Sequence, residues 1–311
     1  MGSSLRRKFL VSILIMVLVS LLAACGNNKP TPTETRLQPS LTSTASPAPP
    51  TPTPTPVPLA ASVNGEPISL ADYQAELTRY QTALRSKTAT PAPGTNLATE
   101  DKQRVLNDLI DQTLLTQGAA QEGYKTDDAA MQARLDQLAA QAGGVQALSA
   151  WERTQGYSEE SFRQALMQAM AAAWMRDRIA AGVPQAVEQV HARQILLYNE
   201  AEAAQVLSQI EAGTDFASLA EDYDPVAGGD LGWFPKGYLT EPTLEEAAFS
   251  LQPGEHSSVI HTRLGYHILE VIERDPQHPL DPEARLALQT QAVEQWLAQR
   301  RSQSEIKIIT Q

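Results

Sequence analysis

The stretch Gly228-Gly229-Asp230-Leu231-Gly232-Trp233-Phe234 decides how this chain is read. Two adjacent glycines and an acidic residue make a turn, and the apolar residues after them run on as a strand. The glycines are turn residues rather than a phosphate cradle, and Asp230 caps or braces the turn rather than serving as a base. Upstream, Val190 to Tyr198 alternates as a strand, Asn199 caps a helix over 200–211 with Gly213 just past its end, and Asp215 to Asp222 is a second helix. Downstream, Thr243 caps a third helix, Leu244 to Leu251, which Pro253-Gly254 stops; Ser257 to Ile260 and Tyr266 to Ile272 are strands. The order β-α-α-β-α-β-β predicts a small sheet covered by helices.

The flanking sequence is helical, which makes the fold class α+β. Ala60 to Ile68 reads as a strand and an Asn-Gly turn. Ser69 to Asp72 then has capping-box spacing, with Asp in the Glu role, ahead of a helix over 70–86. Thr88 to Thr99, with Pro91, Pro93 and Gly94, is a loop. Val105, Leu106, Leu109, Ile110, Leu114 and Leu115 line one face of the next helix, which Gly123 ends. Met131, Leu135, Leu138 and Ala142 mark another, closed by Gly143-Gly144, and a short helix covers 145–154. Ser158 caps a long helix whose apolar face is Phe162, Leu166, Met170 and Trp174. Near the end, Asp281-Pro282 opens a helix to about residue 302, and Ile306 to Ile309 can form a strand. These last elements have no local partner. The nearest candidates are the N-terminal helices and the strand near Val63.

The first sixty of the 311 residues are of another kind. Arg6, Arg7 and Lys8 precede the apolar run Phe9 to Leu22, too short to span a bilayer comfortably and right for a signal peptide, residues 1–24. It ends in Leu22-Ala23-Ala24-Cys25, which resembles a bacterial lipobox and implies a lipid on the single cysteine, Cys25. The Pro/Thr-rich segment completing residues 25–59 cannot bury a core; as extended polyproline II at ~3.1 Å per residue it could tether the folded part as far as roughly 100 Å from a membrane. The net charge of −12 argues against nucleic acid as a partner and against an electrostatic grip on anionic lipid. His256, His261 and His278 show no metal-ligand spacing and are read as solvated surface.

Four segments resemble the parvulin prolyl-isomerase family: Ala212-Gly213-Thr214-Asp215-Phe216, Gly228 to Phe234, Glu245-Glu246-Ala247-Ala248-Phe249 and Leu264-Gly265-Tyr266-His267-Ile268. The resemblance implies rotation about X-Pro amides, with no bond broken and no cofactor or metal. Carried over by position, it implies His267, Thr262 and Asp224 as catalytic residues and Leu239 and Leu244 as the pocket for the proline ring. The family's first-strand histidine is replaced by Gln194, which can still donate and accept hydrogen bonds. His191 lies three residues away, on the opposite face of the strand. Without the resemblance, a histidine on a buried strand reads as a structural residue.

Val63 to Ile68, Leu106 to Asp111 and Gly156 to Phe162 resemble the chaperone module of cell-envelope foldases of the SurA and PrsA kind. That resemblance implies a helical chaperone-like module over residues 60–187, completed by 278–311, with the parvulin domain inserted as residues 188–277 before the C-terminal helix. The implied partners are unfolded exported proteins, through X-Pro segments, and the membrane, through Cys25 on its extracytoplasmic face. The competing expectation is a holdase with a degenerate parvulin domain. The folded part lacks the two large α/β lobes of a solute-binding lipoprotein.

Overall fold

The computed structural model describes residues 57–87 and 98–310. The expected signal peptide, lipidated Cys25, most of the linker and most of the 88–99 loop lie outside the described residues. Strands β1 (Leu59–Val63) and β2 (Glu66–Ser69) are joined through Asn64 and Gly65, both at positive φ, 51° and 83°. That is the twist an Asn-Gly hairpin turn supplies. Helix α1 (Leu70–Lys87) starts on the expected cap: Ser69 Oγ accepts from the Asp72 N–H at 3.0 Å and donates to its carboxylate at 2.6 Å. Helices α2 (Thr99–Gln121), α3 (Asp128–Ala142), α4 (Val145–Thr154) and α5 (Glu159–Ala181) follow. The apolar stripe read on α2 is its buried face, and Ser158 caps α5 by accepting from the Ser161 N–H.

Next come β3 (Ala186–Leu197), α6 (Glu200–Glu211), α7 (Phe216–Tyr223), β4 (Asp230–Pro235), α8 (Pro242–Ser250), β5 (Ile260–Thr262) and β6 (Gly265–Pro279). The four strands form an antiparallel sheet in the order β4-β3-β6-β5. Side chains alternate between its faces. Ile195, Leu197 and Ile268 pack under α6 and α7, while Val190, Ala192, Leu269 and Val271 pack under α8.

Three boundaries differ from expectation. First, β3 and β6 are longer, paired out to Ala186 opposite Pro279, where the buried Gln189 side chain donates to the carbonyls of His278 (2.9 Å) and Pro279 (3.2 Å). Second, Ser257 to Val259 is not strand. There the Leu269 N–H bonds to the Ser257 hydroxyl at 2.9 Å, a side chain standing in for a ladder carbonyl. Third, Glu241, not Thr243, precedes α8, and Pro242 fills its first turn. Proline's fixed φ and missing N–H suit that position, so the helix starts earlier than a Thr cap implies. His278 also departs from the surface reading: it is half-buried and stacks on Trp233, ring centroids 4.0 Å apart.

Helix α9 (Pro282–Gln303) returns to the first helices, and β7 (Ile306–Ile308) pairs with β1, Val63 opposite Ile306, giving a sheet ordered β2-β1-β7. The unpartnered C-terminal elements thus find the strand near Val63. Trp296 and Leu297 of α9 pack against the cores around α2 and α5. Gly118 of α2 makes this possible: a Cβ there would lie 2.7 Å from the Trp296 ring. Arg301 then bonds the Asp111 carboxylate at 2.6 Å and the Asn107 carbonyl at 3.0 Å. Substituting Gly118→Leu should overpack this contact and cost ~1–3 kcal/mol. It should appear as a lower urea midpoint; an unchanged midpoint would show that Trp296 does not depend on the gap.

Candidate functional site

The site lies on the α8 face of the sheet, where β3 and β6 run side by side. Gln194 stands opposite Leu269, and His267 opposite Leu196, so the Gln194 and His267 side chains are diagonal neighbours on one face. His267 is 1% exposed. Its Nδ1 lies 2.9 Å from Gln194 Oε1 and its Nε2 lies 2.9 Å from Thr262 Oγ1. The Leu264 N–H donates to the same Thr262 oxygen at 3.0 Å. An amide oxygen only accepts, so Nδ1 carries the ring proton and the Thr262 hydroxyl donates to Nε2. The result is a one-directional relay from Leu264 N–H through Thr262 and His267 to Gln194. It suits a neutral imidazole, and burial pushes the His267 pKa below the ordinary histidine value, with the nearby Glu241 carboxylate opposing.

Leu244 is buried and Leu239 half-buried in the apolar cluster beneath α8. Ile260, the register partner of His267, belongs to that cluster as well. An apolar surface therefore adjoins a buried polar relay, which suits a small ring attached to an amide. Leu239 sits on the loop between β4 and α8, and that loop is shaped by a residue the sequence reading did not single out. The Glu245 carboxylate accepts from the N–H groups of Gly237 (2.7 Å), Tyr238 (3.0 Å) and Leu239 (3.1 Å). Glu245 lies within a segment quoted for its resemblance, but a carboxylate reaching back eight residues to three amides has no local sequence signature.

Asp224 is not part of the relay. Its carboxylate accepts from the N–H groups of Val226, Ala227 and Gly229. These bonds, Ala227 first, hold its carboxyl below the usual carboxylate range. Its reach to the site is indirect. The Gly229 carbonyl accepts from the Gln194 N–H at 2.9 Å, and with φ at 68° Gly229 leaves no room for a Cβ, which would run into the Gln194 carbonyl. Asp224 thus shapes the turn against which the Gln194 backbone is set.

His191 lies apart, as strand alternation requires. It meets Asp230 at 2.8 Å, and Asp230 also accepts from the Gly232 N–H at 2.8 Å, so Asp230 braces the glycine turn. Among the described residues no group of His, Cys, Asp and Glu is placed to hold a metal ion.

Two family descriptions match the chain: a PPIC-type PPIase domain over residues 192–273 and a SurA-like N-terminal domain over residues 4–176, more than half of the chain. The chain is similar to the foldase protein PrsA of Halalkalibacterium halodurans, 45% identical over 91 residues, which cover 28% of this chain and 27% of that one. It is also similar to the foldase protein PrsA of Caldanaerobacter subterraneus subsp. tengcongensis, 28% identical over 237 residues, 68% of this chain and 72% of that one. Several curated PrsA relatives are spanned over only 27–35% of their own length. A crystal structure of the peptidylprolyl isomerase PrsA from Bacillus cereus aligns with a TM-score of 0.45 and 21% identity, covering 76% of this chain and 86% of that one.

Two outcomes follow from this geometry. Replacing Glu245 by Ala should leave three loop amides without their acceptor, and hydrogen exchange at Gly237, Tyr238 and Leu239 should quicken at least tenfold; unchanged exchange would remove Glu245 as the loop's anchor. Titrated by NMR, the His267 ring should show a midpoint below the ordinary value of about 6.5. The unfolded chain then binds the proton more readily than the folded one. The stability contribution is complete above about pH 6.5 and is lost as pH falls toward the depressed folded-state value. His267→Gln should lack this component.

Proposed function

This chain belongs to the SurA-like N-terminal domain family and carries a PPIC-type PPIase domain, and from that premise we propose that it is a membrane-anchored foldase that isomerises X-Pro bonds in exported proteins. The observation that carries the reading is the buried Leu264–Thr262–His267–Gln194 relay beside the Leu239 and Leu244 surface.

The chemistry fits those groups. Amide resonance sets a rotation barrier of ~18–20 kcal/mol, and uncatalysed X-Pro isomerisation takes tens to hundreds of seconds. Twisting the amide moves electron density from the carbonyl back onto nitrogen, and a water-poor site favours the less dipolar twisted form. Leu239 and Leu244 hold the ring while Thr262, backed by His267, sets a fixed polar edge along the rotating amide. Each ~1.4 kcal/mol removed from the barrier accelerates rotation tenfold. Gln194 supplies the acceptor that His267 Nδ1 needs, so a second imidazole is not required to hold the ring. Asp224 and Glu245 act at one remove, by positioning Gln194 and Leu239.

Attachment at the extracytoplasmic face is read from the lipobox-like Leu22-Ala23-Ala24-Cys25 and the basic and apolar stretches before it. Among the described residues no helix is long and apolar enough to cross a membrane. Acyl chains on Cys25, each buried CH₂ contributing ~0.8 kcal/mol, would give a stable anchor. A second reading, a holdase working without isomerisation, draws on Val145, Trp151 and Met167, large apolar residues exposed on the helical module.

The full chain in detergent micelles should speed cis-to-trans conversion of a proline peptide, and His267→Ala should lose at least tenfold in kcat/KM. No catalysis by the native chain, with catalysis gained by Gln194→His, would instead mark a degenerate isomerase site and favour the holdase. Cys25→Ser should move the protein from the membrane fraction to the soluble fraction; retention in the membrane would refute the lipid anchor.

A further inference from the structure

The turn between β5 and β6 carries Arg263, directly after Thr262 of the relay. Its Nε donates to Glu241 Oε1 at 2.6 Å, and Glu241 stands two residues beyond Leu239. The pair therefore spans the opening between the loop that offers the apolar pocket and the turn that offers the polar edge. It also accounts for the bare start of α8: Glu241 occupies the N-cap position yet makes no side-chain cap bond, its carboxylate being engaged by Arg263.

The two partners are unequally exposed. The Glu241 side chain is 14% exposed and that of Arg263 is 74% exposed. The anion is covered and the cation faces outward, so what an incoming peptide meets at this rim is a guanidinium. Its Nε is engaged by Glu241, which leaves the two terminal nitrogens of the fork to meet a ligand. On the isomerase reading, in which the ring lies on Leu239 and Leu244 and its amide along Thr262 and His267, the residue before the proline would extend toward the β5–β6 turn that carries Arg263.

Resting on the isomerase-site reading above, we propose that Arg263 is a specificity-determining residue that selects peptides with an acidic side chain immediately before the proline. Arg is suited to this role because its planar fork meets a carboxylate in two parallel bonds. Glu241 steers the fork by holding Nε, and in doing so it neutralises part of the charge, which keeps the preference modest. An exposed pair of this kind corresponds to about two- to fivefold between a Glu-Pro and a Lys-Pro peptide at low salt, shrinking as salt screens it.

The test uses the full chain in neutral detergent micelles and two fluorescent peptides that differ only in Glu or Lys before the proline. Affinity is read by anisotropy at low salt and at about 0.5 M salt, where screening shortens the reach of charge, and isomerisation is read on the same peptides. Tighter binding of the Glu peptide, abolished by Arg263→Gln and inverted by Arg263→Glu, supports the proposal. Equal affinities in the native chain, or a preference that survives Arg263→Gln, overturn it. A charge preference in binding with no catalysed isomerisation of either peptide upholds Arg263 as the selector and sinks the isomerase reading instead.

Discussion

Strands β3 and β6 are paired from Ala186 opposite Pro279 to Leu197 opposite Tyr266, and both the site and its connection to the helices depend on that register. A slip of one residue would move every side chain to the other face. Gln194 would leave His267, Ile195 and Leu197 would leave the core under α6 and α7, and Val190 and Ala192 would leave the core under α8. Burial on both faces fixes the register, because either error would expose an apolar set. The far end of the same ribbon leads to α5 on one side and α9 on the other, with Gln189 closing it against His278 and Pro279.

Around this pairing, carboxylates set the loops. Asp224 gathers the backbone of the turn that precedes β4, Glu245 gathers the loop bearing Leu239, and Glu241 ties that loop to the β5–β6 turn. Backbone N–H groups in tight loops have no ladder to join, and an ionised carboxylate can satisfy several at once with charge-assisted bonds. Such loops are held without bulk. The relay itself is uncharged, and that fits its burial: a neutral imidazole with both nitrogens bonded avoids the large penalty of an unpaired buried charge.

The helical part shows the same dependence on distant pairing. β7 has only three residues and completes a sheet through β1, more than two hundred positions earlier in the chain. Its partner helix α9 is seated by the Trp296 ring over Gly118 and by Arg301 on Asp111. Asn64 joins the two ends, since its side-chain oxygen accepts from the Glu305 N–H at 2.9 Å while its backbone N–H donates to the Glu305 carbonyl at 2.8 Å. The parvulin-type domain is thereby held between two segments of one helical body.

What the sequence determined by itself was local. Ser69, Ser158, Asn199 and Asp281 announce helix starts because a short polar side chain satisfies amides two or three residues on. The apolar spacing on α2 announces its buried face, as Phe162 and Leu166 do on α5, and the resemblance of their surroundings singled out Gln194, Thr262 and His267, which the fold brings into hydrogen-bond contact. Tertiary structure decided the rest, wherever a local rule met a distant partner. Glu241 displaced Thr243 at the start of α8 because Pro242 suits the first turn and Arg263 engages the carboxylate. Asp224 braces a turn apart from the His267 relay because three amides lie within its reach. His278 left the surface because β6 runs on far enough to stack it on Trp233. Periodicity and capping act over a few residues and can be read in order along the chain; ion pairs, ring stacks and carboxylates on loop amides depend on which segments the strand register brings together.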